Sequence, residues 1–247
     1  MSRRVRASIL LLPMVLLLLG GCSAKKILFV YPDEEPDMSL RITRTPMLYI
    51  DIVADLRPVE QREGQGKFFG ITYPKDKAWS RPATEIYAAA LAQDLEQTQL
   101  MELVPLQSQA QYVLSAELLS MSNRLERSPS SMLLAASIGG IIGVATGNDM
   151  SHRIKLGIAL GVLTALAVPV STHHRAEAEV RLTLRDDAGN VLWRKSCLGE
   201  VEDKTWMPIT ARSDQKLVDE YLTRAVKKCN GCLLGQLRPV LLELAAK

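Results

Sequence analysis

Residues 110–122 read AQYVLSAELLSMS, and residues 178–194 read AEVRLTLRDDAGNVLWR. In the first stretch Tyr112, Leu114, Ala116 and Leu118 recur at every second position, the period of a strand with one buried face. Over 177–185, Ala178, Val180, Leu182 and Leu184 alternate with Glu179, Arg181, Thr183 and Arg185. Asp186-Asp187-Ala188-Gly189-Asn190 then concentrates turn formers before 191–201 resumes an extended pattern. Together these two runs predict a β-hairpin.

Working outward, 47–54 is a further strand, with Leu48, Ile50 and Ile52 alternating against Tyr49, Asp51 and Val53. A loop through Gly64, Gly66 and Gly70 follows. Pro82 sits at the start of a helix over 83–97 whose apolar stripe is Ile86, Ala90, Leu91 and Leu95. Such a stripe implies a helix lying on a sheet, and 101–105 supplies one more strand. Ser213 or Asp214 caps a helix running through Lys228, with Leu217, Tyr221, Leu222 and Ala225 inward. A last amphipathic segment covers 233–246, interrupted at Pro239. The fold class is α/β (α+β), a mixed sheet packed by helices, with an apolar, glycine-rich helical hairpin inserted.

The insertion occupies 128–171. Residues 132–147 are almost wholly apolar and space glycines as Gly139, Gly143 and Gly147; 156–170 repeats the device with Gly157 and Gly161. Glycines four apart share a helix face, and their missing side chains let two helix backbones approach closely. Ser128-Pro129 offers an N-cap and first-turn proline, Asn148-Asp149 a turn, and Pro169 a stop. Arms of 16 and 15 residues reach about 24 and 22 Å, short of a hydrocarbon core of about 30 Å. Strongly apolar spans would also tend to stop in the inner membrane during export. Three readings stay open: a hairpin buried on its own domain or in an oligomer, one that inserts in a membrane shallowly or as an oligomer, and core strands misread as helices.

The amino terminus carries an address. Arg3, Arg4 and Arg6 precede an apolar run over 9–19, then Leu19-Gly20-Gly21-Cys22. This resembles the bacterial lipoprotein signal peptide, in which small residues admit the chain to a peptidase and the following cysteine thiol takes the diacylglyceryl chain. The resemblance implies cleavage after residue 21, lipidation of Cys22, and no cofactor beyond its diacylglyceryl and N-acyl chains. Ser23 and Ala24 follow, with no aspartate next to the cysteine, which by the same resemblance favours the outer membrane. Residues 22–46 read as a lipidated tether, because Pro32-Asp33-Glu34-Glu35-Pro36-Asp37 cannot pack, although 27–31 has strand character. The remaining segments are 47–127 and 172–247, the two parts of the α/β domain.

Charge excludes one class of partner. The formal net charge is +3 from 30 basic and 27 acidic residues, and loss of the three leader arginines leaves 27 of each. A neutral chain lacks the field that concentrates nucleic acid.

Few residues suggest chemistry. With Cys22 lipidated, Cys197, Cys229 and Cys232 remain, and an oxidising envelope makes a disulfide the default. Cys229-Asn230-Gly231-Cys232 has redox-motif spacing, but it follows a long helix, with Asn230-Gly231 as its stop, where a thioredoxin-like site would open one. A structural bridge from Cys197 to Cys229 or Cys232 is the expectation, stabilising by roughly 3 to 4 kcal/mol through loop closure. His152 and His173-His174 have no metal-ligand spacing, so no metal is expected. Ser213 and Lys216 match S-x-x-K without the companion motifs of penicillin-binding enzymes, and read as a cap and a surface lysine. Trp79, Trp193 and Trp206 are too scattered for a stacking platform, and Trp193 reads as core. No catalytic residue is assigned.

A strand ending in Asp55-Leu56-Arg57-Pro58, a helix, and the two stretches quoted first follow an order similar to periplasmic lipoproteins of secretion and transport systems. That group includes the curli-channel lipoprotein, the amino-terminal domain of the Tol-system propeller protein, and auxiliary lipoproteins of ABC-type transporters. The resemblance implies a nonenzymatic domain that binds other envelope proteins or itself; the insertion departs from the pattern. The expected function is therefore a lipid-anchored accessory component of an envelope export, transport or assembly system. The alternatives are a homo-oligomeric channel and, with Ser213/Lys216 or Cys229/Cys232, an envelope hydrolase or thiol-redox enzyme.

Overall fold

The computed structural model describes residues 26–32, 45–67, 70–146, 149–207 and 214–245. Residues 1–25, with the expected leader and Cys22, and the acidic stretch after Pro32 lie outside them. In chain order the elements are β1 (Met47–Ile50), β2 (Ala54–Asp55), α1 (Val59–Glu63), β3 (Gly66–Lys67), β4 (Gly70–Tyr73), α2 (Ala83–Thr98), β5 (Glu102–Leu103) and β6 (Tyr112–Arg127). Then come α3 (Pro129–Thr146), α4 (Met150–Ala167), β7 (Val170–Asp186), β8 (Val191–Met207), α5 (Asp214–Leu217), a π turn (Val218–Leu222) and α6 (Thr223–Ala245). The fold is α/β, a mixed sheet packed against helices.

The sheet is organised by β6. Along one side it pairs with β7 over its whole length, antiparallel, and β7 pairs likewise with β8. Along the other side three short strands share it: β1 and β2 run parallel to it, β4 antiparallel. The alternation read in the sequence is the buried face, with Leu114, Ala116, Leu118, Val180, Leu182 and Leu184 all in the core. The turn after Asp186 also forms as read: Gly189 takes φ +84°, and the Asn190 amide donates to Asp186 Oδ1 at 2.7 Å.

The strands run further than their pattern suggested. A bulge between Leu118 and Ser120 shifts the parity of β6, so that Met121, Asn123 and Leu125 continue the inward face. Gln61 of α1 compensates at this irregularity. Its Oε1 accepts from the Met121 amide at 3.1 Å, while its Nε2 donates to Ser120 Oγ at 2.8 Å and Glu177 Oε1 at 3.0 Å. In β7 the inward positions between Val170 and Ala176 are Thr172 and His174, polar residues that conceal the strand from a hydrophobicity pattern.

Two expectations are corrected here. Residues 26–32 are not a solvated tether: Ile27 and Phe29 are buried in the core, and Ile27 bridges to Trp79. The C-terminal helix does not stop at Asn230-Gly231, nor break at Pro239; α6 runs through both. Asn230 is wholly buried and fully engaged, its Oδ1 accepting from Tyr87 Oη at 2.9 Å and its Nδ2 donating to Asp94 Oδ2 at 2.7 Å. Those tertiary bonds remove the competition with backbone groups that makes asparagine a poor helix residue. Across Pro239 the helix is held by Leu237 and Leu241, both fully buried.

The expected long-range bridge is present, joining Cys197 of β8 to Cys232 of α6 across a separation of 35 residues. Cys229 remains a thiol, buried, donating to Cys197 O at 3.2 Å. Burial pushes it up to about 12. The helix lies directly on β8 because residue 199 is glycine: a Cβ there would stand 1.9 Å from Ala225 O and 2.5 Å from Cys229 N. Both are backbone atoms, so a side chain forces the whole helix away.

Gly199→Ala is therefore expected to lower stability by about 3 kcal/mol, the upper range of overpacking, measurable as a fall in Tm by circular dichroism. The native, unreduced protein should leave its one core thiol unlabelled by a thiol reagent at pH 8, with labelling of Cys229 appearing only in denaturant. Rapid labelling of the native form would contradict the buried position.

Candidate functional site, an apolar helical hairpin

The connection between β6 and β7 is made by α3 and α4. The ladder beneath is closed to its last residues, with Arg127 opposite Thr172 and the Ser128 amide donating to Ser171 O at 3.0 Å. The hairpin thus rises from the end of the sheet, and at its base Met132, Ala135 and Val170 form a small buried cluster with the body. Pro129 opens α3, as the sequence implied, while Asp149 caps α4 by accepting from the His152 amide at 2.7 Å. That cap corrects the boundaries: α4 begins at Met150 and ends at Ala167, and Val170 and Ser171 belong to β7. Each arm has 18 residues, a reach of about 27 Å. Both arms are thus longer than expected, and α4 is long and apolar enough to cross a membrane by length and composition.

Glycines hold the arms together. A Cβ on Gly139 would lie 2.1 Å from Thr164 Oγ1 and 2.4 Å from Leu160 O; one on Gly161 would meet Ala136 O at 3.1 Å, and one on Gly157 Val144 Cγ2 at 2.8 Å. Gly140, which the four-residue spacing passed over, completes the seam with its backbone against Gly157 and Gly161. The doubled glycine at 139–140 was its signal, because two adjacent positions widen the bare strip on one helix. Gly143 falls within α3, and Gly147 lies outside the described residues.

The outer faces are apolar and uncovered. Leu133, Leu134, Ile138, Ile141, Ile142, Met150, Ile154, Ile158, Val162 and Leu163 are each about half exposed or more, Ile141 by 70%. A groove of about 590 Å³ runs beside the seam, lined by Met132, Ala136, Val144, Ile154, Ile158 and Leu166 among others. Apolar exposure on this scale marks a surface made to be covered.

Other residues considered in the sequence are structurally employed. His173 Nε2 lies 2.7 Å from Glu202 on the outer face of the sheet. His174 is buried, stacks on Tyr221 and meets Thr205 Oγ1 at 2.6 Å; burial holds its imidazole below the usual range. Tyr221 Oη donates to Asp203, and burial raises that phenol to about 12. Lys216 pairs with Glu220 at 3.5 Å, and Ser213 lies outside the described residues. Cys197 and Cys232 form the bridge, and Trp79 and Trp193 are core, whereas Trp206 is 70% exposed. Among the described residues no group of three or more His, Cys, Asp or Glu side chains is placed to hold a metal. Arg57, from the motif that carried the family resemblance, is buried with a two-pronged contact to Asp55 at 2.8 and 2.9 Å and a third bond to Asp76. It locks the chain reversal after β2.

No family model matches the sequence, and no curated protein matches it. Among solved structures, a Xanthomonas campestris protein of the DUF330 family aligns over 89% of this chain and 99% of its own, at 10% identity and a TM-score of 0.48. A putative neuraminyllactose-binding hemagglutinin homologue from Helicobacter pylori aligns over 90% of this chain and 100% of its own, at 7% identity and a TM-score of 0.43.

Leucine at both Gly139 and Gly161 is expected to separate the arms. Each collides with backbone of the opposite helix, so protease cleavage within 129–167 should accelerate at least tenfold. The melting transition of the body should move little, since Gly139 and Gly161 contact the opposite arm and not the sheet. Equal loss of both would show that the hairpin and body form one cooperative unit.

Proposed function

We infer that the protein is a lipid-anchored, periplasm-facing accessory component of an envelope export, transport or assembly system, held to the outer membrane through acyl chains on Cys22. The observation that carries this reading is the exposed hairpin. His174, Tyr221 and Cys229 of the body are buried against its core and bonded to neighbours, whereas the protruding element has apolar faces that are finished only by contact with something else. Binding through that element, to membrane or to other envelope proteins, is the work this architecture is suited to. The leader pattern supports anchorage, since two or three chains on one cysteine hold a soluble body firmly.

A second reading is self-association through the hairpin, as in a homo-oligomeric channel. The groove beside the glycine seam favours it, because it offers an apolar trough alongside two helices already packed at close range.

Mass spectrometry of the mature amino-terminal peptide tests the anchor. The expected result is a triacylated Cys22 in the outer-membrane fraction, with Cys22→Ser either retained as the unprocessed precursor or released as a nonacylated form. An unmodified Cys22 in a soluble wild-type protein would overturn the reading. Chemical crosslinking of the wild-type envelope then separates the two binding modes: a ladder of multiples of the chain mass indicates self-association, and heterologous adducts indicate an accessory role.

A further inference from the structure

We propose that the hairpin end of the molecule is a bilayer-docking end, with α3 and α4 in the hydrocarbon of the same membrane that holds the acyl chains of Cys22 and Trp206 at its surface. This rests on the anchor reading above and adds an orientation to it. The register Val170 to Met207 puts the last residues of β8 at the base of the hairpin. The start of the C-terminal helix is at that end too, where Asn123 Nδ2 donates to Leu217 O. Leu28 is fixed beside it by both of its backbone groups, accepting from Gln215 Nε2 at 2.6 Å and donating to Gln215 Oε1 at 3.1 Å.

From Leu28 the chain runs along the C-terminal helix to Tyr31, which bonds Asp94 at 2.5 Å and lies 3.3 Å from Asn230 Nδ2. Followed backwards from Tyr31, it leads to the start of the C-terminal helix, where Ile27 donates to Ala78 O and Lys26 to Lys77 O. Cys22 lies only four residues before Lys26, a covalent reach of about 14 Å. A long tether would let the body face any direction, whereas a link this short holds the body close to the lipid, and the apolar hairpin is the part of its surface suited to enter it. The surface there suits a bilayer. The arms of about 27 Å approach the hydrocarbon thickness of about 30 Å. Arg153 and Lys155, in the first turns of α4, have side chains long enough to reach headgroups at the tip. Trp206, 70% exposed on the edge strand at the base, is the residue type that settles at a membrane surface.

The test uses the wild-type acylated protein in phosphatidylethanolamine and phosphatidylglycerol vesicles, with or without brominated acyl chains, which quench tryptophan at short range. Trp79 and Trp193 are buried, so Trp206→Phe isolates the signal of Trp206. Brominated lipid should quench Trp206 about twofold and an added Ile141→Trp reporter more strongly. A Val191→Trp reporter should be untouched, since it stands at the opposite end of β8, fifteen residues or roughly 50 Å away. If the protein floats with vesicles but Trp206 and Ile141→Trp ignore bromine, the orientation is wrong and the anchor reading stands. An Ile141→Trp emission shifted to the blue without quenching assigns the hairpin to a second copy and likewise overturns the proposal. Equal quenching at Val191→Trp overturns it as well. Acylated protein that fails to float with the vesicles removes both readings.

Discussion

The buried carboxylate of Asp94 sets the constraint that most of the architecture answers. A charge-bearing group inside a core costs several kcal/mol unless its oxygens are fully bonded. Here Oδ1 accepts from Lys227 Nζ at 2.6 Å, and Oδ2 from Tyr31 Oη at 2.5 Å and Asn230 Nδ2 at 2.7 Å. Those donors come from the amino-terminal segment and from α6, while Asp94 belongs to α2. Lys227 also lies 4.8 Å above the Tyr31 ring. The carboxylate is satisfied only if the chain before Pro32 lies down on the body and α6 continues past Asn230. One buried group thus shortens the link to Cys22 and keeps the C-terminal helix whole, which in turn places Cys232 against Cys197.

This explains where the sequence was legible. Alternation in 178–185, the turn at Gly189, the helix after Pro82 and the long-range bridge were readable because each follows from local period, local φ or the pairing chemistry of cysteine thiols. Strand ends in β6 and β7 were not, because a bulge changes parity after Leu118 and polar Thr172 and His174 occupy inward positions. The segment 26–32 looked like the start of a tether because acids and prolines dominate residues 32–37. Its partners, Trp79, Asp94, Gln215 and Asn230, are fifty or more residues away, beyond any local pattern. Asn230-Gly231 misled for the same reason: an Asn-Gly pair stops a helix when its side chain is free to bond nearby backbone, and this one is bound elsewhere.

The candidate site divides similarly. Gly139, Gly157 and Gly161 announced a close helix contact by their spacing, and the opposite arm comes within 3.1 Å of where each missing Cβ would stand. Gly199 carries an equally close contact and gave no signal, because a lone glycine in a strand has no period. The start of α4 was missed because Ser151, His152 and Arg153 look like loop, while Asp149 in fact caps them into a helix.

The hairpin's own stability points outward. The ladder is closed beneath it, so the β6–β7 pairing does not depend on the arms being folded, and among the described residues Met132, Ala135 and Val170 form the buried cluster where the two parts meet. Five glycines across the two arms, at about 1 kcal/mol each relative to alanine, are offset along the seam only where they let the backbones touch. The ten half-exposed large apolar side chains represent burial free energy on the order of 10 kcal/mol if something covers them, comparable to the entire net stability of an ordinary domain. An element assembled this way holds its shape best in an apolar setting, so its surroundings are part of what folds it.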